Sequence, residues 1–337
     1  MTATLPVKPE LVCPAGTPAA LRTAVDAGAE NVYCGYQNAT NARNFAGLNF
    51  TPDEMAQGIR YAHDRGAKVL ITLNTFPPAG RVDLWTEMAD LSARLGADAC
   101  IVADIAVADH IRRRHPQMRI HLSVQAAASS PEAIAWYVRE FDVKRVVLPR
   151  IMTVSEIKGL VDEIPCEVET FIFGNHGLMV EGRCSLTAYV TGQSTNMDGA
   201  CSPAACVAYD QQEDGRLATR LGGVMIDRFA PHETAGYPTI CKGRYLSEAR
   251  DGGYYAFEEP VSLNAATMLP ELIRAGVHAF KIEGRQRSRA YVRKVVAAFR
   301  EAVDTVMAGD EPKLADLVAL TEGQKHTEGA LKSKTWR

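Results

Sequence analysis

Short apolar runs rich in β-branched residues alternate along the chain with segments of helical periodicity. The run Glu10–Cys13 is followed by a helical pattern near Pro18–Ala27, and the run Asn31–Tyr36 is followed by another after Pro52. Such alternation is typical of βαβ units, in which successive strands are parallel. The pattern continues as far as Arg150 and predicts six strands before residue 151.

Two more strands are predicted in the second half of the chain. Cys166–Gly174 reads as the seventh strand and Val277–Glu283 as the eighth, followed by a long helix with apolar residues at helical spacing. Eight βα units are the number found in a (β/α)₈ barrel. The sequence therefore predicts an α/β fold, a TIM-like barrel over residues 1–308, with residues 309–337 as a tail along its surface.

The seventh unit differs from the others, because residues 175–264 separate its strand from the next predicted helix, Ala265–Gly276. A connection of this length usually has a function. It also leaves the barrel from the carboxyl end of a strand, the face on which barrel enzymes carry their active sites. We therefore expect the functional site in or beneath this insertion.

Composition and charge narrow the class of protein. The chain has 337 residues, is 47% hydrophobic and carries 37 Lys and Arg against 40 Asp and Glu, a net charge of −3. This is ordinary globular composition, which excludes a disordered, collagenous or coiled-coil protein. The slight negative charge makes nucleic acid a less favoured partner. The chain shows no signal-peptide pattern and no long apolar run, so we expect a cytoplasmic protein.

The eight cysteines include a group suited to a metal. Cys184, Cys201 and Cys241 each lie in a Gly- or Pro-rich turn of the insertion. Their thiolates are soft donors that bind iron–sulfur clusters or zinc. The alternative is that they are small buried side chains, as free cysteines usually are. We expect that alternative for the remaining five: Cys13, Cys34, Cys100, Cys166 and Cys206.

Polar residues at the ends of the predicted strands are candidates for binding a substrate. In a barrel they would surround the mouth, although a buried salt-bridge network closing that mouth is an equal alternative. Arginine is the side chain best suited to a carboxylate, because its fork donates two parallel hydrogen bonds. A small carboxylate-bearing molecule is therefore the expected ligand. The candidates are Asn74, Gln125, Arg150, Glu169, Glu283 and Arg285.

Motifs of hydrolytic enzymes are missing from the sequence. His232-Glu233 begins an H-E-x-x-H zinc motif, but Gly236 stands where the second histidine would be. The sequence also has no G-x-S-x-G motif and no phosphate-binding loop. A protease therefore has no support from the residues.

Six longer motifs resemble one known family, the collagenase-like peptidases, and within it the branch that acts in ubiquinone biosynthesis. The resemblance extends along nearly the whole chain. Two of the motifs contain the cysteines of the insertion, and another contains Arg285. The motifs are L-V-C-P-A-G at 11–16, T-N-A-R-N-F-A-G-L-N-F at 40–50, V-V-L-P-R at 146–150, G-A-C-S-P-A at 199–204, A-G-Y-P-T-I-C-K-G-R-Y at 235–245 and K-I-E-G-R-Q-R-S at 281–288.

The resemblance implies an oxygen-independent hydroxylase subunit rather than a protease. It implies a barrel with a 4Fe-4S cluster and prephenate as the oxygen donor. The implied partners are a UbiV-like sister protein, forming a heterodimer, and a lipid-carrier protein that presents the ubiquinone precursor; no DNA and no direct membrane insertion are expected. Related members hydroxylate uridine or cytidine in tRNA and rRNA, so an RNA-base hydroxylase is an alternative, as is a non-catalytic scaffold.

The resemblance also implies which residues hold the cluster. The family uses four cysteines, and Cys184, Cys201 and Cys241 match three of these positions, whereas the fourth falls on Gly177. Histidine replaces cysteine in Rieske centres, so the adjacent His176 is a candidate for the fourth ligand. The alternatives are Cys206, an iron left open to water or substrate, and the loss of the cluster altogether.

Overall fold

Strands and helices alternate regularly through the first half of the chain. The computed structural model describes residues 7–177, 181, 184–312 and 325–334. The elements of the first half are β1 (Glu10–Pro14), α1 (Pro18–Asp26), β2 (Asn31–Cys34), α2 (Pro52–His63), β3 (Lys68–Leu73), α3 (Asp83–Leu95), β4 (Ala99–Val102), α4 (Ile105–Arg114), β5 (Arg119–Leu122), α5 (Pro131–Phe141), β6 (Val143–Val147), α6 (Val154–Glu163) and β7 (Glu167–Asn175).

The second half contains the insertion and the last two βα units. Its elements are α7 (Leu186–Thr191), α8 (Thr195–Asp198), β8 (Val207–Gln211), β9 (Leu217–Leu221), β10 (Val224–Phe229), β11 (Arg244–Ser247), β12 (Arg250–Tyr255), β13 (Ser262–Asn264), α9 (Leu269–Arg274), β14 (Ala279–Ile282), α10 (Arg289–Met307) and β15 (His326–Thr327).

Helix starts are set by local side-chain chemistry. Thr51 and Thr153 each accept a hydrogen bond from the backbone N–H three residues on, and Glu54 and Glu156 at those positions bond back to the threonine N–H groups. These are capping boxes, which satisfy backbone donors that the first helical turn leaves free. They fix where α2 and α6 begin after their loops.

The barrel closes through β14. This strand pairs in parallel with β1, where Ala279 lies opposite Glu10, and with β7, where Ala279 lies opposite Glu169. The strands β1 to β7 pair in sequence order, so the eight parallel strands form a closed ring. The predicted (β/α)₈ TIM-like fold is confirmed.

The core has two layers. Most buried apolar side chains lie between the strands and the surrounding helices, and a smaller cluster fills the interior of the barrel. Such a filled interior leaves only the ends of the barrel for ligands. None of the described helices is both long enough and apolar enough to cross a membrane. The interior cluster consists of Val12, Tyr33, Leu70, Ala99, Ile101 and Ala279.

The insertion forms two small sheets above the carboxyl ends of the strands. Strands β8, β9 and β10 form an antiparallel sheet, and β11 pairs with β12. The chain then returns through β13, which is antiparallel to the end of β7 and places Ser262 opposite Asn175. The insertion therefore leaves and re-enters the barrel at neighbouring positions.

Part of the predicted surface tail packs beside this return strand. Strand β15 pairs in parallel with β13, Leu331 is buried, and Lys334 forms an ion pair of 2.6 Å with Glu156. Residues 313–324 of the tail lie outside the described residues.

Candidate functional site

The carboxyl ends of the barrel strands surround a small cavity of about 60 Å³, here called the mouth cavity. Five of the six predicted substrate-binding residues line it: Asn74, Gln125, Arg150, Glu283 and Arg285. Convergence of residues from different strands at this end is what the barrel topology provides. The complete lining is Tyr33, Ala42, Arg43, Thr72, Asn74, Ile101, Ser123, Val124, Gln125, Val147, Arg150, Phe171, Lys281, Glu283 and Arg285.

Arg285 is a buried cation held by neutral oxygens. Its Nη2 donates to Asn41 Oδ1 at 2.9 Å, and its Nη1 donates to Thr72 Oγ1 at 3.2 Å and to Asn49 Oδ1 at 3.4 Å. Burial lowers the pKa of Arg285 to about 10. Among the described residues no carboxylate lies within ion-pair distance of it, and its Nε has no hydrogen-bond partner. A buried guanidinium without a counter-ion favours an anion in the cavity.

Arg150, the other arginine among the predicted substrate-binding residues, is already paired within the chain. Glu181 accepts hydrogen bonds from its backbone N–H, at 3.0 Å, and from its guanidinium. The guanidinium also stacks on Phe171, with Cζ 3.5 Å from the ring centroid. Arg285 is therefore the more available anion-binding group of the two.

Glu169 lies below the mouth cavity and does not line it, contrary to the predicted position. It is fully buried, with Oε1 2.6 Å from Lys281 Nζ and Oε2 3.5 Å from Arg145 Nη1. Side chains two residues apart on a strand point the same way, so Glu169 faces the interior one layer beneath Phe171, which reaches the cavity. Glu169 therefore belongs to a buried salt-bridge network, which was the alternative to a substrate-binding role for the predicted residues.

Asn74 and Gln125 join the mouth to the loops above it. Asn74 accepts from the Ala42 N–H at 3.0 Å and donates to Ser123 Oγ at 3.2 Å. Gln125 Oε1 accepts from Asn196 Nδ2 at 2.9 Å. The two amides thus hold two different loops over the mouth cavity.

A second cavity, of about 370 Å³, lies beside the first and is called the cysteine cavity here. Cys201, Cys241 and Gly177 line it, so three of the four positions of the predicted cluster site lie on its wall. Its complete lining is Arg43, Phe45, Asn175, Gly177, Cys201, Ser202, Gly236, Tyr237, Thr239, Cys241, Lys242, Glu258, Pro260, Glu283, Gly284, Gln286 and Arg287.

The thiols of Cys184, Cys201 and Cys241 are close enough to influence one another. Burial raises the pKa of Cys241 to about 12, with smaller contributions from Glu258 and from the other two cysteines. Burial also raises the pKa of Cys201, and Cys184 adds to this effect. Cys184 and Cys201 thus both lie near Cys241, and Cys184 lies near Cys201.

Local hydrogen bonds fix the two turns that carry Cys184 and Cys201. The Cys184 N–H donates to Asn196 Oδ1 at 2.7 Å, and the Thr187 hydroxyl donates to the Cys201 carbonyl at 2.7 Å. Asn196 is the residue bonded to Gln125. A direct chain of contacts therefore joins the mouth cavity to the cysteine turns.

The 199–201 turn also docks on the loop after β2. The Asn44 N–H donates to the Gly199 carbonyl at 3.1 Å. Gly199 has φ +80°, and a Cβ there would lie 2.3 Å from the Asn41 carbonyl oxygen. Glycine is required at this position both by its φ and by the close approach of the two backbones.

Glu283 and Arg43 line both cavities and stand between them. Arg43 Nη2 lies 3.4 Å from Glu283 Oε1, and Glu283 Oε2 accepts from the Asn175 N–H at 3.0 Å. Burial alone would raise the pKa of Glu283, but Arg43, Arg150 and this N–H outweigh it and lower the pKa. The ion pair is therefore a charged partition between the mouth cavity and the cysteine cavity.

His176, the candidate fourth ligand, is not among the residues that line the cysteine cavity. Its neighbours Asn175 and Gly177 line that cavity, whereas a Cβ on Gly329 would lie 2.8 Å from His176 Cε1. Its backbone carbonyl accepts from Lys242 Nζ at 2.6 Å, which ties this segment to the Cys241 turn. The ring thus lies beside Gly329.

The other cysteines lie elsewhere. Cys13, Cys34 and Cys100 are fully buried in barrel strands, as predicted, and burial raises the pKa of Cys34 and Cys100 to about 12. Cys166 is half-buried at the opposite end of β7. Cys206 ends the short turn before β8 and is not part of the cysteine-cavity wall.

Sequence reasoning missed several residues that build the site. Asn41, Arg43 and Asn49 come from the loop between β2 and α2, and Glu181 and Asn196 come from the insertion. The length of the β2–α2 loop was the available signal, since long connections at the carboxyl ends of barrel strands commonly carry function. Its polar residues stand in the motif at 40–50.

These features define a class: a closed α/β barrel whose seventh unit places a thiol-bearing insertion over a polar mouth. The model of Peptidase family U32 matches residues 16–334. The chain therefore belongs to this family.

Named relatives of the chain include RNA hydroxylation proteins. The chain is 30% identical to tRNA hydroxylation protein P of Escherichia coli (strain K12), covering 97% of this chain and 75% of the relative. It is 30% identical to tRNA hydroxylation protein P1 of Bacillus subtilis (strain 168), covering 90% of this chain and 65% of the relative. It is 26% identical to the 23S rRNA 5-hydroxycytidine C2501 synthase of Escherichia coli (strain K12), covering 88% of this chain and 40% of the relative.

The chain thus spans between about two fifths and three quarters of the length of these relatives. Among solved structures, the U32 peptidase Mk0906 is similar, with a TM-score of 0.48 and 13% identity over 86% of this chain and 97% of that one.

Proposed function

We propose that this chain is a hydroxylase subunit resembling UbiU, which acts without molecular oxygen on a ubiquinone precursor. The observation that carries the proposal is the adjacency of three neighbouring thiols to a mouth cavity that contains a buried arginine without an ion-pair partner among the described residues. Membership of a family with relatives named for hydroxylation supports the reaction class. The motif resemblance supports the choice of a quinone precursor.

The donor set fits an iron–sulfur cluster held by Cys184, Cys201 and Cys241. Three mutually interacting thiols are soft donors, and Cys201 and Cys241 face a cavity of about 370 Å³. When bound, a 4Fe-4S cluster would supply one-electron redox chemistry and a Lewis-acid iron. Gly177 offers no ligand atom and His176 packs against Gly329, so we propose that the cavity supplies the fourth ligand, as water or a bound molecule.

Arg285 is proposed to bind a carboxylate of the oxygen donor, for which prephenate is our candidate. Its Nε has no hydrogen-bond partner, and no carboxylate among the described residues lies within ion-pair distance of the guanidinium. A carboxylate is the anion whose geometry best matches that fork. Arg43 and Glu283, on the partition, would lie between this carboxylate and the cysteine cavity.

Two protein partners complete the proposal. A ring substrate with an isoprenoid tail is too apolar to diffuse through water, so a lipid-carrier protein would present it. A UbiV-like sister protein would complete the heterodimer.

Anaerobic co-expression with the UbiV-like partner tests the cluster first. About four irons and four acid-labile sulfides on this chain are expected, with loss on Cys184→Ala or Cys201→Ala. Cys166→Ala is the matched control, because this thiol lies at the far end of β7 and should leave the iron content unchanged. A fully loaded partner beside an iron-free wild-type chain would refute the cluster and favour a scaffold subunit.

Quinone analysis tests the substrate. Deleting the gene should abolish anaerobic ubiquinone synthesis and accumulate a precursor that lacks one ring hydroxyl. Unchanged quinones and intermediates would reject the quinone substrate.

An RNA base is the second candidate substrate, and the names of the tRNA and rRNA hydroxylation relatives favour it. Mass spectrometry of nucleosides from the same deletion strain separates the two. Loss of a hydroxylated uridine or cytidine with normal quinones would establish the RNA substrate instead.

A further inference from the structure

We propose that His110, His115 and Asp90 form a binding site for a divalent transition metal such as zinc on the outer wall of the barrel. The three side chains lie on the packed helices α3 and α4 and the turn that follows α4. Their potential ligand atoms all lie within 4.8 Å of one another. This site is separate from the thiols and the mouth cavity, so it is independent of the proposed function.

The geometry converges on one carboxylate oxygen. Asp90 Oδ1 lies 2.7 Å from His110 Nε2 and 2.6 Å from His115 Nε2. Zinc bonds of 2.0–2.1 Å place neighbouring tetrahedral ligands roughly 3.4 Å apart, so each contact needs to open by about 0.7 Å. Side-chain rotation is sufficient for this, because the three side chains are only partly buried.

The backbone brings the two histidines together at a helix end. Residues five apart on a continuous helix would point roughly 140° away from each other. His115 is the C-cap of α4, with φ −134° and ψ 63°, so the chain leaves the helix there and returns the imidazole to the His110 side. The carboxyl end of a helix also favours a cation.

The packing beneath the site makes it rigid. On α4, Val107, Ala108 and Ile111 are buried, and on α3, Met88 and Ala89 are buried. Ligands held on such fixed elements lose little entropy when a metal binds.

The chemistry selects the ion. Two imidazoles and one carboxylate suit zinc, nickel, cobalt or copper better than calcium or magnesium, which prefer oxygen ligands. The exposed fractions of His110, His115 and Asp90 are 23%, 24% and 31%, which leaves an open position for water as a fourth ligand. A bound ion would brace α3 against α4, at the wall away from the mouth.

Zinc binding to the chelator-treated full chain tests the site. The double variant His110→Gln/His115→Gln should bind one zinc per chain fewer than wild type, and zinc should raise the Tm of wild type by about 2 °C or more beyond any rise in the double variant. His63→Gln is the matched control, since His63 makes a single histidine–aspartate contact of 2.9 Å with Asp98 on the same barrel. It should bind as wild type does.

Cobalt distinguishes this site from the cysteines. Cobalt bound by nitrogen and oxygen lacks the charge-transfer bands of thiolate ligation. The cobalt spectrum without those bands should be present in wild type and absent from the double variant and from Asp90→Asn. The Asp90→Asn variant keeps the side-chain shape, which guards against misfolding. Equal zinc content and equal Tm shifts in wild type and the double variant would overturn the site, as would no zinc-induced change in wild type.

Discussion

At the scale of single residues, burial of the Arg285 guanidinium without an ion-pair partner among the described residues costs free energy, and an anionic ligand would offset that cost. Arg285→Gln should weaken binding of a carboxylate donor roughly 10- to 100-fold, because hydrogen bonds to charged groups contribute about 1.5–3 kcal/mol. The affinity of Arg285→Lys should lie between those of wild type and Arg285→Gln, because lysine keeps the charge but cannot donate two parallel hydrogen bonds. Calorimetric titration with prephenate measures the affinities.

The same variant separates a binding role from a structural one. Removing a buried charge that has no ion-pair partner among the described residues should leave Tm unchanged or raise it. A large fall in Tm together with unaltered affinity would assign Arg285 to the architecture alone.

His121, at the other end of the barrel, is expected to make the folded state less stable at acid pH. Both ring nitrogens are buried without a hydrogen-bond partner among the described residues, and burial, with Arg145 and Arg119 nearby, holds the pKa well below 6.5. The folded state therefore binds fewer protons than the unfolded state, so stability present above about pH 6.5 is lost as pH falls toward the folded pKa.

The measurement is the free energy of unfolding in denaturant between pH 7 and pH 4 for wild type and His121→Phe. The variant should show a shallower decline, because the phenyl ring that replaces the imidazole binds no proton in either state. Identical slopes would mean that other groups cause the acid sensitivity.

At the scale of elements, the contact between the 199–201 turn and the loop after β2 determines where Cys201 lies. Gly199→Ala should lower stability by about 1–3 kcal/mol through strain and the clash with Asn41. It should also reduce iron content. Gly192→Ala is the matched control, since Gly192 has a similar φ of +74° with nothing within 4 Å of the added Cβ.

Thermal unfolding and iron analysis of the two variants give the comparison. If both lose the same stability and neither loses iron, the contact with Asn41 has no role in placing the thiol.

The barrel elements were predictable because each strand and helix has its own local period. The depth of Glu169 inside the barrel was not predictable from the sequence. It depends on the register between β7 and β14, which places Lys281 opposite Phe171. Likewise, nothing local to His176 indicates that Gly329, far along the chain, takes the space beside its ring. The small sheets of the insertion lack a long apolar pattern because much of β8 is exposed.

At the scale of the whole molecule, the end of the chain supports the base of the insertion. Ending the chain after Gly309 removes β15 and the buried Leu331, and exposes the neighbourhood of Leu263 and His176. We expect a Tm lower by several degrees, since losing one buried leucine alone costs about 2–5 kcal/mol.

Lys334→Ala is the control for that truncation. It removes only the exposed ion pair with Glu156, and such pairs contribute about 0–1 kcal/mol. A truncated chain as stable as wild type would show that the segment merely lies on the surface.

The pairing of Asn175 with Ser262 has an evolutionary consequence. Because the two ends of the insertion are hydrogen-bonded neighbours, the intervening chain can lengthen, shorten or be exchanged without altering any of the eight barrel pairings. The barrel can thus be conserved during evolution while the insertion that covers it diversifies. The β2–α2 loop, which docks on the 199–201 turn, must co-evolve with that insertion, as must Gln125 and Arg150, which bond to Asn196 and Glu181.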